Sequence, residues 1–390
     1  MRALFASYDG IVDGPGRSQT IPYLRGLASR GHAMAMFSFE RREALADAAL
    51  VAGVEAELCG AAWTRVPWRR NPLFDLAAGM RAMRRALREH RADFVHARGY
   101  VPAFLAQRLG APFLFDMRGF WPDERADGGL WSRESFGYRL WKWIEKGLLA
   151  DARGIVVLTE RARSELHRLA LAPEATAVRV IPTCADLGRF RPVPESERPP
   201  ECRGGAPRYL VFGATGTWYL REAMLDLAAL ALRRDPAAIL HILTRDDPGP
   251  LAQGMTQRGV ASDRYTIRPV PPAESPRWIS GARAAIVLIR SVWSKGASCP
   301  TKLGELLGCG VPVLMNAGIG DADRILGEGQ AGVMVTGFDE GSLADSLRAL
   351  DALWARGGVE AGCRAVACRE FALTTAVERY AAAYAEMAAR

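Results

Sequence analysis

Residues 294–313 read SKGASCPTKLGELLGCGVPV, and this stretch predicts a helix followed by a buried strand. Proline is favoured at the first position of a helix, so Pro300 marks the predicted start, with Ser298 or Cys299 as the capping residue before it. Gly308 falls where the helix should end, because glycine favours helix C-termini. The short apolar run after the helix is typical of a strand buried in a parallel sheet.

Two lysines, Lys295 and Lys302, lie near the start of this helix. A helix N-terminus carries about half a positive charge, so an exposed lysine there is unfavourable by roughly 0.3–1 kcal/mol. Arg290, at the end of the preceding predicted strand, adds a third cation. Together with the free N–H groups of the first turn, these side chains predict a site for a strongly anionic group, best a diphosphate. The candidate diphosphate-binding residues are Arg290, Lys295, Ser298, Thr301 and Lys302.

Glu305, one turn further along the helix, is the candidate ribose ligand, because its carboxylate can accept hydrogen bonds from hydroxyl groups. The alternative is an ordinary surface pair between Lys302 and Glu305, which is worth about a few tenths of a kcal/mol. That pair would account for Lys302 but for neither Arg290 nor Lys295.

Short apolar runs alternate with helical patterns on both sides of this stretch, which is typical of parallel strands covered on both faces. The segment RPVPESERPPECRGGAP is rich in proline, charge and glycine and is expected to be a linker. The sequence therefore predicts an α/β protein with two doubly wound domains, and the cleft between them is the default ligand site. The predicted parts are a first domain (1–190), the linker (191–207), a second domain (208–373) and a closing helix (374–390).

Composition narrows the functional class. Hydrophobic residues make up 49% and charged residues 24% of the 390 residues, which indicates a well-packed globular protein. The net charge of +8 favours phosphate-bearing partners or an anionic membrane surface. The seven cysteines are scattered without a CxxC pair, so reduced thiols are expected, with no disulfide framework and no metal site. No apolar run is long enough to span a bilayer and no leader is evident, so a cytoplasmic protein is expected.

A glycine-rich loop follows the first predicted strand. Gly14 and Gly16 supply two glycines of a GxGxxG pattern, but Gln19 stands at the third position, so the dinucleotide fingerprint fails and a hydride-transfer enzyme loses its main support. With Ser18 near the helix start, the loop is a candidate donor or acceptor loop in which the backbone approaches a ligand closely. A plain strand-to-helix turn is the alternative.

Charged residues crowd the segment FDMRGFWPDERADGGLW, which ends another buried strand. Asp116, Arg118 and Glu124 are the candidate catalytic residues, because α/β sites form beyond the carboxyl ends of strands. His96 and Arg98 follow a neighbouring strand and are candidates for the acceptor rim. Ion pairing among these side chains is the alternative.

Residues 63–91 contain eight arginines with two acidic residues. One interpretation is an ordinary amphipathic helix packed on the sheet. The other is attraction to an anionic membrane that carries a lipid-linked acceptor. The chain would then be peripheral on the inner face of that membrane.

The order of elements and three motifs resemble the GT-B glycosyltransferases of the large retaining family 4, over nearly the whole chain. The motifs are VIPTCADLGRFRP (180–192), PTKLGELLGCGVPVLMNAGIGD (300–321) and FALTTAVERYAAAYAEM (371–387). A subgroup of polysaccharide-assembly transferases with SxPTK and DMRG elements is the most similar. The resemblance implies a GT-B fold whose last helix crosses back to the first domain.

The resemblance also implies a nucleotide-diphosphate-sugar donor, with UDP or GDP as the nucleotide, retention at the anomeric carbon, and no cofactor or metal. Glu305 matches the second of two glutamates that the family often carries, and Ala297 stands at the place of the first. Arg118 stands where the family usually has a histidine. The arginine and lysine that commonly follow the first strand of the second domain are not evident in GATGTWYLREAM (213–224), so Arg290, Lys295 and Lys302 are expected to bind the phosphates.

The expected function is therefore sugar transfer with retention to a hydroxyl acceptor, which could be a glycan, a lipid-linked sugar or a small molecule. The same fold also serves nucleotide-sugar epimerases, and the alanine at 297 keeps open a non-catalytic partner subunit. Nucleic-acid binding is disfavoured, because the arginines are spread over many helices and no recognition motif is present.

Overall fold

The computed structural model describes residues 1–13, 15–69 and 72–388, apart from the side chains of Pro15, Pro72, Leu73 and Gly329. It divides into two compact units. The first unit comprises Met1–Pro182 and Leu373–Arg390, and the second comprises Thr183–Ala372. No helix in the described residues has the length and apolar character needed to cross a membrane.

The first unit contains a sheet of seven parallel strands in the order β3-β2-β1-β4-β5-β6-β7. Its strands are β1 (Arg2–Ser7), β2 (Ala33–Arg41), β3 (Trp63–Trp68), β4 (Phe94–Arg98), β5 (Phe113–Asp116), β6 (Gly154–Val157) and β7 (Val178–Val180). Strands β5 and β6 are buried along their whole length, because helices cover both faces of a parallel sheet. Its first eight helices are α1 (Pro15–Ala28), α2 (Arg42–Ala46), α3 (Ala48–Glu57), α4 (Pro72–Glu89), α5 (Tyr100–Arg108), α6 (Trp121–Asp127), α7 (Phe136–Asp151) and α8 (Glu160–Arg168).

The second unit repeats the plan with six parallel strands in the order β10-β9-β8-β11-β12-β13. Its strands are β8 (Arg208–Phe212), β9 (Ile239–Leu243), β10 (Tyr265–Arg268), β11 (Ala284–Val287), β12 (Val313–Asn316) and β13 (Gly332–Val335). Its helices are α9 (Arg221–Arg234), α10 (Pro248–Gln257), α11 (Ser275–Ile279), α12 (Thr301–Gly308), α13 (Ala322–Gly329), α14 (Glu340–Ala355) and α15 (Val359–Phe371). The predicted doubly wound α/β architecture is confirmed in both units.

The segment expected to be a linker, 191–207, belongs to the second unit, and the division between the units lies earlier, after Pro182. The backbone N–H of Val193 donates to the Ser280 hydroxyl at 3.0 Å, and the buried Cys202 thiol lies 3.9 Å from the Trp278 carbonyl oxygen. Composition marked this stretch as irregular, but its hydrogen bonds tie it to the second unit.

The last helix, α16 (Leu373–Ala388), packs on the first unit, as the resemblance implied. Two of its tyrosines reach a buried pair of side chains, Asp116 at the end of β5 and His96 in β4. The Tyr380 hydroxyl donates to Asp116 Oδ2 at 3.1 Å, and Tyr384 lies 2.7 Å from His96 Nδ1. The other ring nitrogen of His96 lies 3.4 Å from Asp116 Oδ2, and Arg118 donates to Asp116 Oδ1 at 3.3 Å.

The charge states of Asp116, Arg118 and His96 in this buried network fit their hydrogen bonds. Burial alone would raise the pKa of the Asp116 carboxyl, but the Arg118 guanidinium and the hydrogen bond from His96 hold that pKa well below its ordinary value. Burial lowers the pKa of His96, so its ring is neutral at pH 7. A neutral imidazole can donate to Asp116 from Nε2 while it accepts from the Tyr384 hydroxyl at Nδ1.

We predict that Asp116→Asn lowers the free energy of unfolding by roughly 2–5 kcal/mol at pH 7, because an amide NH₂ group would replace one of the two oxygens that face three donors in a buried site. Chemical denaturation measures the change, with the exposed Asp263→Asn as the control. Because the folded-state pKa of Asp116 is depressed, its contribution is present above the unfolded pKa of about 4 and is lost at lower pH. The difference between wild type and variant should therefore shrink in acid; a difference that stays constant would contradict this account.

Candidate active site

The candidate residues of the second unit follow three adjacent strands of its sheet, β8, β11 and β12. Loops after these strands meet at one edge of the sheet, because parallel strands present their carboxyl ends on the same side. The loops are 213–220, 288–300 and 317–321.

Backbone and amide hydrogen bonds hold these loops together. Asn316, at the end of β12, donates from Nδ2 to the Ile289 carbonyl at 2.9 Å and accepts from the Ile289 N–H at 2.8 Å. The Arg290 N–H donates to the Trp218 carbonyl at 2.8 Å, which links the loop after β11 to the loop after β8. The Gly320 N–H donates to the Lys295 carbonyl at 2.9 Å, which adds the loop after β12.

The structure brings two of the three predicted cations together on one indole ring. Lys295 Nζ lies 3.9 Å from the centre of the Trp218 ring, and the guanidinium carbon of Arg290 lies 5.6 Å from it. Such contacts contribute about 0.5–2 kcal/mol each. Lys295 is only 7% exposed, so its ammonium group has lost most of its hydration. Trp218 therefore positions two cations at the carboxyl edge of the sheet.

The third cation, Lys302, lies at the other end of the same loop. Its Nζ lies 4.1 Å from the centre of the Phe212 ring and donates to Glu305 Oε2 at 3.1 Å. The ion pair between Lys302 and Glu305, which was the alternative interpretation, is therefore present. The Glu305 carboxylate in this pair is largely buried. Gly213 has φ +99°, and a Cβ atom there would lie 2.9 Å from Lys302 Cε. Only glycine at 213 leaves the lysine stem its place without backbone strain.

Helix α12 begins at Thr301, one residue later than predicted. Pro300 is the N-cap, and it makes no side-chain capping hydrogen bond. The expectation that Ser298 or Cys299 occupies the N-cap position is therefore wrong. The N–H groups of the first turn have no partner within the helix itself, as in any helix start.

Ser298 and Thr301 are half-buried beside this helix start. The Ser298 N–H donates to the Lys295 carbonyl at 3.1 Å, which closes the short 3₁₀ helix Trp293–Ala297. Ala297 is buried. The family's first glutamate thus has no carboxylate counterpart at this position.

Sequence reasoning missed Arg221, which is the first residue of helix α9. Its Nε is buried, and no hydrogen-bond partner for it exists among the described residues. A second cation therefore lies at a helix N-terminus close to the loop 213–220, the same unfavourable placement that drew attention to Lys302. The sequence alone does not show that helix α9 begins at Arg221, so the position of this arginine at a helix start could not be recognised.

Backbone strain is concentrated in the loop that carries Trp218. Thr217 has φ +59°, and Thr215 accommodates the turn by donating from both its N–H and its hydroxyl to Asp246 Oδ2 at 2.6 and 2.8 Å. A β-branched residue in the left-handed region costs about 1–3 kcal/mol and persists only where the surroundings enforce it. The loop is thus held in one conformation under the Trp218 ring.

In the first unit, the structure corrects two candidate assignments. Asp116 and His96 are 1% and 0% exposed, and both bind the tyrosines of α16. This burial argues against His96 as part of an acceptor rim and against direct contact between Asp116 and a substrate. The sequence showed a carboxylate after a strand, but one of its partners, Tyr380, is 264 residues away.

The remaining first-unit candidates are less buried. Arg118 carries a side chain that is partly accessible and bonds to Asp116. Glu124 is half-buried, and its Oε1 would lie 3.1 Å from a Cβ atom at Gly119. Arg98 donates to the exposed Asp9 at 2.8 Å, which is the ion pairing considered as the alternative.

Contacts within the first unit fix the conformation of the glycine-rich loop. Gly14 lies outside the described residues. A Cβ atom at Gly16 would lie 1.9 Å from the Gly10 carbonyl oxygen. The loop therefore requires glycine at position 16 for its own packing. The buried Glu40 carboxylate accepts from the N–H groups of Ile11 and Val12 at 2.9 and 3.2 Å. Ser18 is exposed on the first helix.

All seven cysteines are free thiols. In the part of the chain that the structure describes, no cluster of three or more histidine, cysteine, aspartate or glutamate side chains could hold a metal ion.

Residues 20–184 match the family described as the glycosyl transferase 4-like domain. The whole chain superposes on sucrose-phosphate synthase from Thermosynechococcus elongatus with a TM-score of 0.76, covering 100% of this chain and 99% of that one at 17% identity. The chain therefore has a GT-B fold. HepE of Anabaena, solved with UDP-glucose, has the same fold, with a TM-score of 0.73, 15% identity and 99% coverage of both chains.

One curated relative of this GT-B protein is a D-inositol 3-phosphate glycosyltransferase from Nocardia farcinica. The two are 29% identical over 216 residues, which cover 53% of this chain and 46% of the relative. The match thus spans about half the length of that relative.

We predict that Gly213→Ala weakens nucleotide-diphosphate binding at least about tenfold, a loss of roughly 1.4 kcal/mol, because the new Cβ displaces the Lys302 stem. Gly259→Ala is the matched control, since Gly259 also has a positive φ, +72°, but open space around its Cβ position. Both variants should be destabilised by about 1 kcal/mol. Equal nucleotide affinity in the two variants, measured by calorimetry, would show that Lys302 is not part of the site.

Proposed function

We propose that this GT-B protein transfers a sugar, with retention, from a nucleotide-diphosphate donor to a hydroxyl acceptor. The observation that carries the proposal is the packing of Arg290 and Lys295 on Trp218, at the sheet edge from which helix α12 starts with Lys302 in its first turn. The family match and the fold of the relatives support the class of reaction. Retention at the anomeric carbon rests on the family resemblance. So does the proposal that the acceptor hydroxyl attacks from the same face as the departing phosphate.

The diphosphate would bind at the start of α12, where the first-turn N–H groups of Thr301 and Lys302 and the half-buried Ser298 add donors to the cations. Lys302 has three ammonium hydrogens, of which one serves Glu305, so the others remain available for phosphate oxygens. Glu305 keeps a second carboxylate oxygen for a ribose hydroxyl. As the glycosidic bond breaks, negative charge grows on the departing phosphate. Cations already fixed on Trp218 and Phe212 stabilise that charge without reorganising.

We assign the acceptor to the first unit, with Arg118 and Glu124 as the residues that orient its hydroxyl group and Asp116 as a positioning residue behind Arg118. Burial alone would lower the pKa of the Arg118 guanidinium, but the Asp116 carboxylate raises it, so Arg118 stays charged at any working pH. A glycan or lipid-linked acceptor, as in polysaccharide assembly, fits this assignment. Gly16 and Ser18, in the first turn of helix α1, would border the acceptor.

We predict that nucleoside diphosphates raise the melting temperature of this protein, with UDP or GDP giving the largest shift. The structure of HepE with UDP-glucose makes UDP the first nucleotide to test. A ligand at about one hundred times its dissociation constant adds about 2.7 kcal/mol to the free energy of unfolding. A thermal-shift panel of UDP, GDP, ADP and CDP, with the monophosphates as controls, measures this. No shift from any diphosphate would refute the donor site.

We predict that Lys302→Ala lowers turnover well over tenfold while the fold is retained, because the leaving phosphate loses a preorganised charge. Lys146→Ala, an exposed lysine on the first unit, is the matched control. Radiolabelled donor and acceptor extracts measure transfer. Donor incubated alone separates the alternatives: a new sugar isomer indicates an epimerase, and nucleotide binding without transfer or hydrolysis indicates a non-catalytic subunit. Near-normal turnover in Lys302→Ala would contradict the assignment.

We predict that sugar transfer is unchanged by EDTA, since Arg290, Lys295 and Lys302 supply the positive charge that a divalent cation would otherwise provide. Activity assays after dialysis against chelator, with and without added Mg²⁺, test this. Loss of activity that Mg²⁺ restores would show a metal requirement.

A further inference from the structure

Helix α7 exposes a stripe of large apolar side chains. Phe136, Leu140 and Trp143 are 80%, 38% and 63% exposed, and their spacing of four and three residues places them on one face of the helix. The opposite face packs on the first unit through Ile144, Glu145, Leu148 and Leu149. Ser135 caps the helix, accepting from the Tyr138 N–H at 3.3 Å, so the stripe starts in the first turn of a well-formed helix.

The exposed face of α7 is positively charged as well as apolar. Arg139 and Lys146 are exposed and lie about two turns apart along the same border of the stripe, because they are seven residues apart. Glu145, the acidic residue within this part of the helix, lies on the opposite, buried face. It accepts hydrogen bonds from the Tyr100 hydroxyl at 2.6 Å and from Lys142. Exposed acids flank the stripe only at its two ends, as Glu134 and Asp151.

Neighbouring helices extend this charge. Helix α5 packs against both α7 and α4. Its exposed Arg108 lies over the Phe104 ring at 5.2 Å. Helix α4 exposes four arginines, Arg81, Arg84, Arg85 and Arg88, of which Arg85 is paired with the exposed Glu89 at 2.9 Å. The layer formed by these three helices therefore combines an apolar stripe on α7 with a wide basic surface beside it.

We propose that the exposed face of α7 docks on an anionic lipid bilayer. A stripe of Phe, Leu and Trp inserts to the boundary between headgroups and acyl chains, where amphipathic rings such as indole are favoured. Arginines and lysines beside the stripe attract anionic headgroups. The assignment differs from the interpretation of 63–91: α4 adds charge, whereas α7 holds the apolar anchor.

The dimensions of the stripe favour a membrane over a second protein chain. It comprises three side chains over eight residues, a length of about 10 Å at 1.5 Å per residue. A stable protein interface buries about 800 Å² on each partner, with 20–30 residues a side. Shallow insertion into a bilayer needs no matching surface, and the lipid charge complements the basic border. This binding is independent of the proposed sugar transfer.

Vesicle sedimentation of the full chain tests the proposal, with phosphatidylcholine vesicles that contain or lack phosphatidylglycerol. The stripe variant is Phe136→Gln/Leu140→Gln/Trp143→Gln, and the charge variant is Arg139→Glu/Lys146→Glu. The matched control, Leu50→Gln/Leu169→Gln/Phe338→Gln, removes three exposed apolar side chains elsewhere. A fourth variant, Arg84→Glu/Arg88→Glu, removes charge from α4 only.

Wild type and the apolar control should bind phosphatidylglycerol vesicles at low salt and release them at high salt, and neither should bind phosphatidylcholine alone. The stripe and charge variants should each bind at least about tenfold more weakly. All variants should keep wild-type melting temperatures and nucleotide shifts, because the positions are exposed. This last readout separates loss of docking from loss of the donor site.

Three results would overturn the proposal. The first is no vesicle binding by the wild type at low salt. The second is unchanged binding by the stripe variant, in particular if the α4 variant alone abolishes it. The third is a dimer in light scattering that the stripe variant dissociates, which would assign the face to a second copy of the chain.

Discussion

Every pairing between strands in the described part of the chain is parallel, and this constraint determines where chemistry can occur. Each sheet sends all its carboxyl ends to one edge, so the loops after β8, β11 and β12 meet although they lie far apart in sequence. The Asn316 amide fixes the spacing of two of these loops with a donor and an acceptor on the same residue, Ile289. The positions of Trp218, Arg290 and Lys295 follow from that edge.

Helix α12 has a cation at its C-terminus, where the helix dipole favours one, and two cations near its N-terminus, where the dipole disfavours them. At its C-terminus, Arg364 donates to the carbonyl groups of Gly308 and Phe190 at 2.9 and 2.6 Å, which places a cation where the helix dipole favours it. At its N-terminus the nearby cations Lys295 and Lys302 lie on aromatic rings. The rings offset part of the unfavourable field but supply no net negative charge, which is what a diphosphate would add.

The sequence predicted the two α/β units and the cations at the start of α12, because periodicity and helix end signals are local. It located the helix start one residue early, since Pro300 serves as well at the N-cap as at the first helical position. It missed the role of Trp218 and the position of Arg221, which depend on how two loops approach each other. It also treated Asp116 as a catalytic residue and His96 as part of an acceptor rim, because nothing local indicates that two tyrosines of the last helix cover them.

The order of these elements along the chain also bears on biosynthesis. The second unit, Thr183–Ala372, is inserted in the sequence of the first, whose helix α16 is translated after it. Tyr380 follows Asp116 by 264 residues, so its hydrogen bond to the Asp116 carboxylate can form only after the whole second unit has been translated. The first unit can bury that carboxylate with its full set of partners only after translation has reached α16. Completion of the N-terminal half is therefore a late event in the synthesis of this chain, and it depends on the last helix.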